Sequence, residues 1–231
     1  MIAVSAIGMM LFTTRPVGDA MATTIWGTSS SWTLTALPLF VWMGEILFRT
    51  KLSENLFKGL SPWLSKLPGG LIHVNVVGCG LFAAISGSSA ATVATVGKMS
   101  IPELRKRKYP EKILLGSLAG SGTLGLLIPP SIILIIYGVT IEDSIAKLFM
   151  AGIFPGIMLA IIFMLYVVVW SIINKKQMPK ISEEFSFIEK VKRSKQLLPV
   201  VLLICSVIGS IYTGIATATE AASLGVVGAL I

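Results

Sequence analysis

A run of small, hydroxyl-bearing residues lies inside the longest charge-free part of the first half of the chain, in the stretch LFAAISGSSAATVATVG over residues 81 to 97. In order, the run contains Ser86, Gly87, Ser88, Ser89, Thr92 and Thr95. A helix that faces lipid is built mainly from Leu, Ile, Phe and Val. Hydroxyl and backbone carbonyl oxygens are hard ligands that can replace the hydration shell of an alkali cation. The run therefore indicates either a cation-binding turn or close helix packing through small residues.

A second unusual stretch is GSLAGSGTLGLLIPPSIILIIYG, over residues 116 to 138. Pro129 and Pro130 remove two backbone donors and clash with the preceding turn, so the helix must break there. The glycine-rich residues expected to accompany the break are Gly120, Gly122, Thr123 and Gly125. Within a membrane, such a break is tolerated only where it is buried in protein or lines a watered cavity. A simple proline kink packed against small residues is the alternative.

The two stretches together are more specific than either one alone. A turn of serines and glycine facing an unwound helix presents carbonyl and hydroxyl oxygens to a cation. The helices that begin after each break carry positive N-termini, which favour a carboxylate nearby. This is the arrangement expected of a secondary transporter with its binding site near the middle of the membrane.

The composition places these stretches in an all-α integral membrane protein. Apolar residues make up 54% of the 231 residues, charged residues 13%, and the mean hydropathy is +0.85. Apolar segments of membrane-helix type are expected near 1–13, 33–48, 70–97, 113–138, 148–173 and 197–216, with an incomplete one from 220. We expect no removable signal peptide and no second, soluble domain. The net charge is +8, and the basic residues lie in short loops without interleaved aromatic residues, which argues against nucleic-acid binding.

The distribution of basic residues predicts the topology. Seventeen of the 19 Lys and Arg residues fall in three segments, 49–69, 98–112 and 174–196, which the positive-inside rule assigns to the cytoplasm. Residues 70–97 then have a cytoplasmic segment on both sides and are too few for two full spans. We therefore expect a re-entrant helical hairpin that enters from the cytoplasm, with its tip near Ser86 to Ser89. The same rule places the N-terminus in the cytoplasm.

Several remaining features have modest interpretations. The runs over 49–66 and 181–193 have apolar residues at helical spacing, as in helices that lie in the membrane interface or pack on neighbouring spans. Glu45 lies four residues before Arg49, which favours an ion pair at a helix end over a proton relay. Glu220 follows Thr217 with the spacing of a capping box. His73, the only histidine, is expected to have a hydrogen-bonded packing role.

Four motifs, in order, closely resemble the large membrane subunit of tripartite ATP-independent periplasmic (TRAP) transporters, the DctM-like family. They are ALPLFVWMGEIL, LPGGLIHVNVVGCGLFAAISGSSAATVATVG, GLLIPPSIILIIYG and TATEAASLGVVGAL. The resemblance implies a sodium-coupled importer of organic acids such as C4-dicarboxylates or sugar acids, with Na⁺ as the coupling ion. It also implies inverted repeats, an elevator mechanism, a small membrane partner subunit and a periplasmic substrate-binding protein. The implied location is the cytoplasmic (inner) membrane of a bacterium or archaeon.

Carried over by position, the resemblance also names site residues. The sodium ligands it implies are Ser86, Gly87, Ser88, Ser89, Gly122, Thr123 and Pro129. The residues it places beside the substrate carboxylate are Ser88, Thr92, Pro130 and Ser131. Where family members commonly have Pro-Thr-Glu, this chain has Ala218, Thr219 and Glu220, and it stops eleven residues later. The chain therefore resembles the first half of the subunit, and a second hairpin and second ion site are expected beyond residue 231.

The domain organisation follows from these assignments. Residues 1–69 are expected to form scaffold spans and an interfacial arm helix, 70–147 a transport unit, 148–196 a span and a cytoplasmic amphipathic connector, and 197–231 the start of a second repeat. Two other functions compete with transport. An intramembrane serine hydrolase needs a base near the serines, and residues 81–97 contain no His, Lys or Asp, so we do not expect an enzyme. A structural membrane subunit that supports another permease is the second alternative.

Overall fold

The computed structural model describes residues 2–12, 14, 16–50, 52–179 and 186–230. These residues form twelve α-helices joined by turns and short 3₁₀ segments, and this described part contains no β-strand. The helices are α1 (Ile2–Phe12), α2 (Val17–Ser29), α3 (Ala36–Arg49), α4 (Leu52–Leu64), α5 (Ile72–Ser86), α6 (Ser89–Lys106), α7 (Glu111–Gly122), α8 (Ile132–Ile141), α9 (Ile145–Ile173), α10 (Phe187–Ser194), α11 (Leu198–Tyr212) and α12 (Ala218–Leu230).

Several helices have the length and composition of membrane spans. Among the described residues, Ile145–Ile173 and Phe187–Tyr212 are each long and apolar enough to cross a membrane, and the bent pair α2 and α3 passes the same test together. Four shorter helices, α1, α5, α8 and α12, are also apolar. The predicted all-α membrane class is confirmed.

The hairpin and the broken helix also have the predicted form. Helices α5 and α6 are joined by only two residues, Gly87 and Ser88, at the predicted tip. Helix α5 has 15 residues, or about 22 Å of helix, which is shorter than the ~30 Å hydrocarbon core. Between α7 and α8 the chain leaves the α-helix from Thr123 to Ser131.

One prediction about the first part of the chain was wrong. The apolar segments expected near 1–13 and 33–48 leave residues 14–32 as a predicted loop, but residues Val17–Ser29 form helix α2, which meets the following helical segment at a bend of 47°. Its threonines lower the hydropathy that identifies a span. In the helix, Thr23 and Thr24 donate hydrogen bonds to the carbonyl oxygens of Asp19 and Ala20, both at 2.8 Å. Because the hydroxyls are satisfied within the helix, they do not prevent a helix from forming.

Helix α5 lies at the centre of the fold and positions the hairpin tip. Twelve of its 15 residues are buried, and it packs against α3, α4, α6, α7 and α9. Its first turn is held by hydrogen bonds: the Leu71 N–H donates to the Tyr109 hydroxyl at 3.1 Å, and a ring nitrogen of His73 lies 2.8 Å from the Pro68 carbonyl oxygen. Burial raises the pKa of the Tyr109 hydroxyl above its ordinary value. The expected packing role of His73 is confirmed.

A second group of helices packs beside the hairpin. Helix α3 contacts α12, and α12 contacts α11; the shared apolar core includes Phe40, Met43, Val207 and Val226. The predicted capping box begins α12, because Glu220 accepts hydrogen bonds from the backbone N–H and the hydroxyl of Thr217, both at 2.8 Å.

The two amphipathic runs differ in what the structure describes. Helix α4 buries Leu56, Phe57 and Leu60 and contacts α5 and α10, so this part of the first run packs on protein. In the second run, residues 181–185 lie outside the described residues. Its remainder forms α10, where Ile188 and Val191 are exposed.

Candidate functional site

The hairpin tip is a two-residue turn that requires glycine at its first position. Gly87 ends α5 with φ +60°, and its N–H donates to the Ala83 carbonyl oxygen at 3.0 Å. This left-handed conformation is strained for residues with a Cβ atom. Ser88 then adopts an extended conformation, with φ −124° and ψ 121°, and begins α6. The chain therefore reverses direction within the polar run.

Most hydroxyls of the polar run stabilise this turn. The Ser86 and Thr92 hydroxyl oxygens lie 3.0 Å apart, and the Ser88 N–H donates to the Ser86 hydroxyl at 3.4 Å. The Ser88 side chain accepts from the Ala91 N–H at 3.4 Å, as expected of an N-cap residue. Thr95 donates to the Ala91 carbonyl oxygen at 2.7 Å. These bonds explain why a tight turn between two helices needs hydroxyl side chains here.

The break in the second stretch is bridged by a serine. Helix α7 ends at Gly122 and continues as one 3₁₀ turn, Thr123–Leu126. The Pro129–Pro130 peptide bond is cis. The Ser131 hydroxyl donates to the Leu126 carbonyl oxygen at 2.8 Å, which ties the start of α8 to the end of the 3₁₀ turn.

The hairpin tip and the helix break are in direct contact. The Ile132 N–H, at the start of α8, donates to the Gly87 carbonyl oxygen at 3.2 Å. A Cβ atom at Gly87 would lie 2.7 Å from the Pro130 carbonyl oxygen, and one at Gly125 would lie 2.9 Å from the Ser89 backbone nitrogen. Only glycine therefore permits this approach at both positions. The structure brings together the two stretches that the sequence singles out.

Two helix N-termini meet at this contact. Helix α6 begins at Ser89 and α8 at Ile132, which is bonded to the tip through Gly87. The first N–H groups of a helix have no partner within the helix and carry its positive partial charge. The Ile132 N–H is already used in the contact, but the dipoles of the two helices still place positive partial charge there, which favours a carboxylate nearby.

One hydroxyl at the contact has no partner among the described residues. The Ser89 hydroxyl oxygen is buried and makes no hydrogen bond with the described protein atoms. A buried polar group without a partner is costly. A Cβ atom at Gly122 would lie 3.8 Å from the Ser89 carbonyl oxygen, so the end of α7 also approaches this residue. The donor set is made of neutral oxygens, which fits a hard cation such as sodium.

The predicted site residues are not all brought together in the same way. Gly87, Ser89, Gly122 and Pro130 lie at the contact between tip and break. The Thr123 side chain is exposed, and its hydroxyl donates to the Gly120 carbonyl oxygen at 2.7 Å within its own helix. The structure therefore does not bring the Thr123 hydroxyl to the tip.

The remaining predicted residues contribute to the turn and the break. The hydroxyls of Ser86, Ser88 and Thr92 are engaged at the turn. Pro129 and Ser131 are buried within the break. These residues shape the backbone on either side of the contact between tip and break.

A close neighbour of the tip was missed from the sequence. A Cβ atom at Gly44, on α3, would lie 3.0 Å from the Cα and Cβ atoms of Ser86. Gly44 directly precedes Glu45 in the motif WMGEIL. A lone glycine inside an apolar helix was the sequence signal that could have indicated this close approach. Helix α3 therefore touches the hairpin at its tip.

Fold and site together define a multi-span α-helical membrane protein with a hairpin that meets a broken helix, an architecture typical of secondary transporters. Comparison with known families is more specific. The family model described as the DctM component of the tripartite ATP-independent periplasmic transporter matches residues 1–231, and the chain belongs to this family.

Relatives with established names agree with this family. The chain is 36% identical to the C4-dicarboxylate TRAP transporter large permease protein DctM of Pseudomonas aeruginosa, over 96% of this chain and 51% of that protein. It is 32% identical to the sialic acid TRAP transporter large permease protein SiaM of Vibrio cholerae, over 95% and 51%. It is 33% identical to the ectoine/5-hydroxyectoine permease protein UehC of Ruegeria pomeroyi, over 86% and 46%. The chain spans about half the length of these relatives, which are named as transporters and not as enzymes.

Proposed function

We propose that this chain is the first half of the large membrane subunit of a sodium-coupled transporter that imports organic acids, such as C4-dicarboxylates or sugar acids. The observation that carries the proposal is the contact between hairpin tip and helix break, where the Ile132 N–H donates to the Gly87 carbonyl oxygen at 3.2 Å. Beside it lies the buried Ser89 hydroxyl, which has no partner among the described residues. Two polar breaks that meet inside an apolar fold are expected at a transport site.

The proposed site has two parts. Sodium is held by hydroxyl and backbone oxygens from Ser86–Ser89 on the tip and by backbone oxygens from the break at Gly122, Thr123 and Pro129, with Ser89 the principal side-chain ligand. The substrate carboxylate lies beside it, at the N-termini of α6 and α8, with Ser88, Thr92, Pro130 and Ser131. Bound sodium supplies a positive charge that helps to hold the substrate anion.

The remaining parts of the transporter are also proposed. A periplasmic substrate-binding protein delivers the organic acid, and a small membrane subunit completes the scaffold. The hairpin and the broken helix move together as the transport unit of an elevator in the inner membrane. The short length of α5 and the basic segments at both ends of residues 70–97 support a hairpin that enters from the cytoplasm.

Reconstitution tests the proposal. The full-length permease is placed in proteoliposomes with its small subunit, and uptake of radioactive C4-dicarboxylates and sialic acids is measured with the binding protein outside. We expect uptake of at least one of these acids that requires an inward sodium gradient and is absent with potassium. A membrane subunit that only supports another permease gives no uptake of any of them.

The topology gives a separate prediction. In a background with Cys205 replaced by Ala, the variant Lys106→Cys should not react with a membrane-impermeant thiol reagent added outside intact cells, because Lys106 lies in a segment assigned to the cytoplasm. The matched control is Asp143→Cys, which is also exposed and lies in residues 139–147, a segment with a single basic residue that the same rule places outside. We expect the control to be labelled from outside. Labelling of Lys106→Cys from outside, without labelling of the control, contradicts the proposed direction of the hairpin.

A further inference from the structure

A cleft of about 150 Å³ lies between α3 and the hairpin, directly beside the tip. One wall belongs to α3 and the other to the tip and α6. The lining residues that matter here are Gly44, Glu45 and Phe48 on α3, and Ser86, Ser88 and Thr95 on the hairpin. The cleft therefore connects the polar tip with a charged residue on the neighbouring helix.

The cleft leads from the tip toward the basic ends of both helices. Gly44 approaches Ser86 at the tip. Further along, the Lys98 ammonium of α6 lies 5.1 Å from the centre of the Phe48 ring on α3. The two helices therefore run in the same direction, away from the tip. Basic residues follow both helices, so this direction is toward the cytoplasm.

Glu45 is the one charged residue among the described residues that line the cleft. Its carboxylate accepts a hydrogen bond from the Arg49 guanidinium at 2.7 Å, and the two side chains are 49% and 77% exposed. Exposed ion pairs of this kind contribute little to stability, because solvent screens them and long side chains lose entropy in forming them. Arg49 can therefore be displaced from Glu45 at small cost.

The other polar groups of the cleft also offer oxygen lone pairs. The Thr95 hydroxyl donates its hydrogen to the Ala91 carbonyl oxygen at 2.7 Å, which leaves its lone pairs for another partner. The Ser86 hydroxyl lies at the tip end of the same cleft. A carboxylate with hydroxyls and no nitrogen ligand is a donor set suited to hard cations.

We propose that Glu45 is a cation relay on the cytoplasmic side of the hairpin tip, binding sodium transiently as it passes between the tip and the cytoplasm. This inference rests on the proposed function, because the relay carries the sodium ion that the hairpin tip is proposed to bind and release. Arg49 is then the resting partner of Glu45 and competes with the ion. Glu45 therefore has two roles: it pairs with Arg49 at the end of the helix, and it binds the passing ion.

The test uses the reconstituted full-length permease, with the binding protein supplied only outside, so that uptake reports only molecules whose periplasmic side faces outward. Inhibition of uptake by sodium inside the vesicles is measured for the wild type, Glu45→Gln and Arg49→Gln. The matched control is Glu103→Gln, since Glu103 also pairs with an arginine four residues on, Arg107, at 2.9 Å, outside the residues that line the cleft.

We expect Glu45→Gln to raise the half-inhibitory concentration of internal sodium about fivefold, because a nearby negative charge is lost. Arg49→Gln should lower it, and Glu103→Gln should leave it within about twofold of the wild-type value. The external sodium concentration for half-maximal uptake should be unchanged in all three variants. Equal effects of Glu45→Gln and Glu103→Gln overturn the relay. Wild-type uptake that does not depend on sodium overturns the proposed function itself.

Discussion

Replacing Gly87 with alanine should reduce sodium-dependent uptake by the full-length permease to less than about one-tenth of the wild-type rate. Two effects add at this position. An alanine held at φ +60° costs about 1–3 kcal/mol in backbone strain. Its methyl group would also lie 2.7 Å from the Pro130 carbonyl oxygen, and relieving such overpacking costs typically about 1–3 kcal/mol. Either the turn or the contact with the break must change.

Two glycines separate these effects. Gly214 also has a positive φ, +72°, but a Cβ atom there would have no neighbour within 4 Å among the described residues, so Gly214→Ala tests strain alone. A Cβ atom at Gly116 would likewise meet no described atom within 4 Å, and Gly116 has an ordinary helical conformation, so Gly116→Ala should be neutral. We expect Gly214→Ala to lower thermal stability in detergent while uptake is retained. Uptake by Gly87→Ala equal to that of Gly214→Ala would show that contact between tip and break is unnecessary.

Replacing Ser89 with alanine should raise the sodium concentration for half-maximal uptake about tenfold or more. Loss of one ligand or hydrogen-bond partner to a charged group costs about 1.5–3 kcal/mol, and 1.4 kcal/mol corresponds to a factor of about ten. Without sodium, however, the same variant should be no less stable than the wild type, because the hydroxyl that is removed has no partner among the described residues. Uptake at varied sodium and thermal unfolding in potassium measure the two effects.

Ser86→Ala is the matched control for this prediction. The Ser86 hydroxyl is paired with Thr92 at 3.0 Å, so its removal leaves a buried hydroxyl without that partner and should lower stability even without sodium. Without sodium, Ser86→Ala is therefore expected to be less stable than the wild type, and Ser89→Ala is not. A loss of stability in Ser89→Ala like that in Ser86→Ala would assign Ser89 a structural role only.

The sequence was sufficient to locate the hairpin and the break. The hairpin was predicted from the charge of the basic residues on both sides of 70–97. The break was predicted from the backbone chemistry of the proline pair at 129 and 130. The turn at Gly87 and Ser88 falls within the predicted tip. Helix α2 was missed because hydropathy counts its threonine hydroxyls as polar, although they bond within the helix.

The distribution of roles among the serines could not be predicted. Three serines and a glycine are adjacent in sequence, and each serine could donate or accept a hydrogen bond. Whether Ser86 pairs with Thr92 and Ser89 remains unpaired depends on how α7 and its 3₁₀ turn pack against the hairpin. The same holds for Thr123, whose position near the break gave no sign that its hydroxyl bonds within its own helix. Tertiary packing decides both.

Equilibrium binding of radioactive sodium to the purified full-length permease tests the central claim most directly. The wild type should bind sodium saturably, with displacement by unlabelled sodium and not by the same concentration of potassium. Ser89→Ala should bind sodium at one site with an affinity about tenfold or more lower than that of the wild type, whereas Gly116→Ala should bind it as the wild type does. If Ser89→Ala binds as much sodium as the wild type, with the same affinity, the contact between hairpin tip and helix break is not the sodium site.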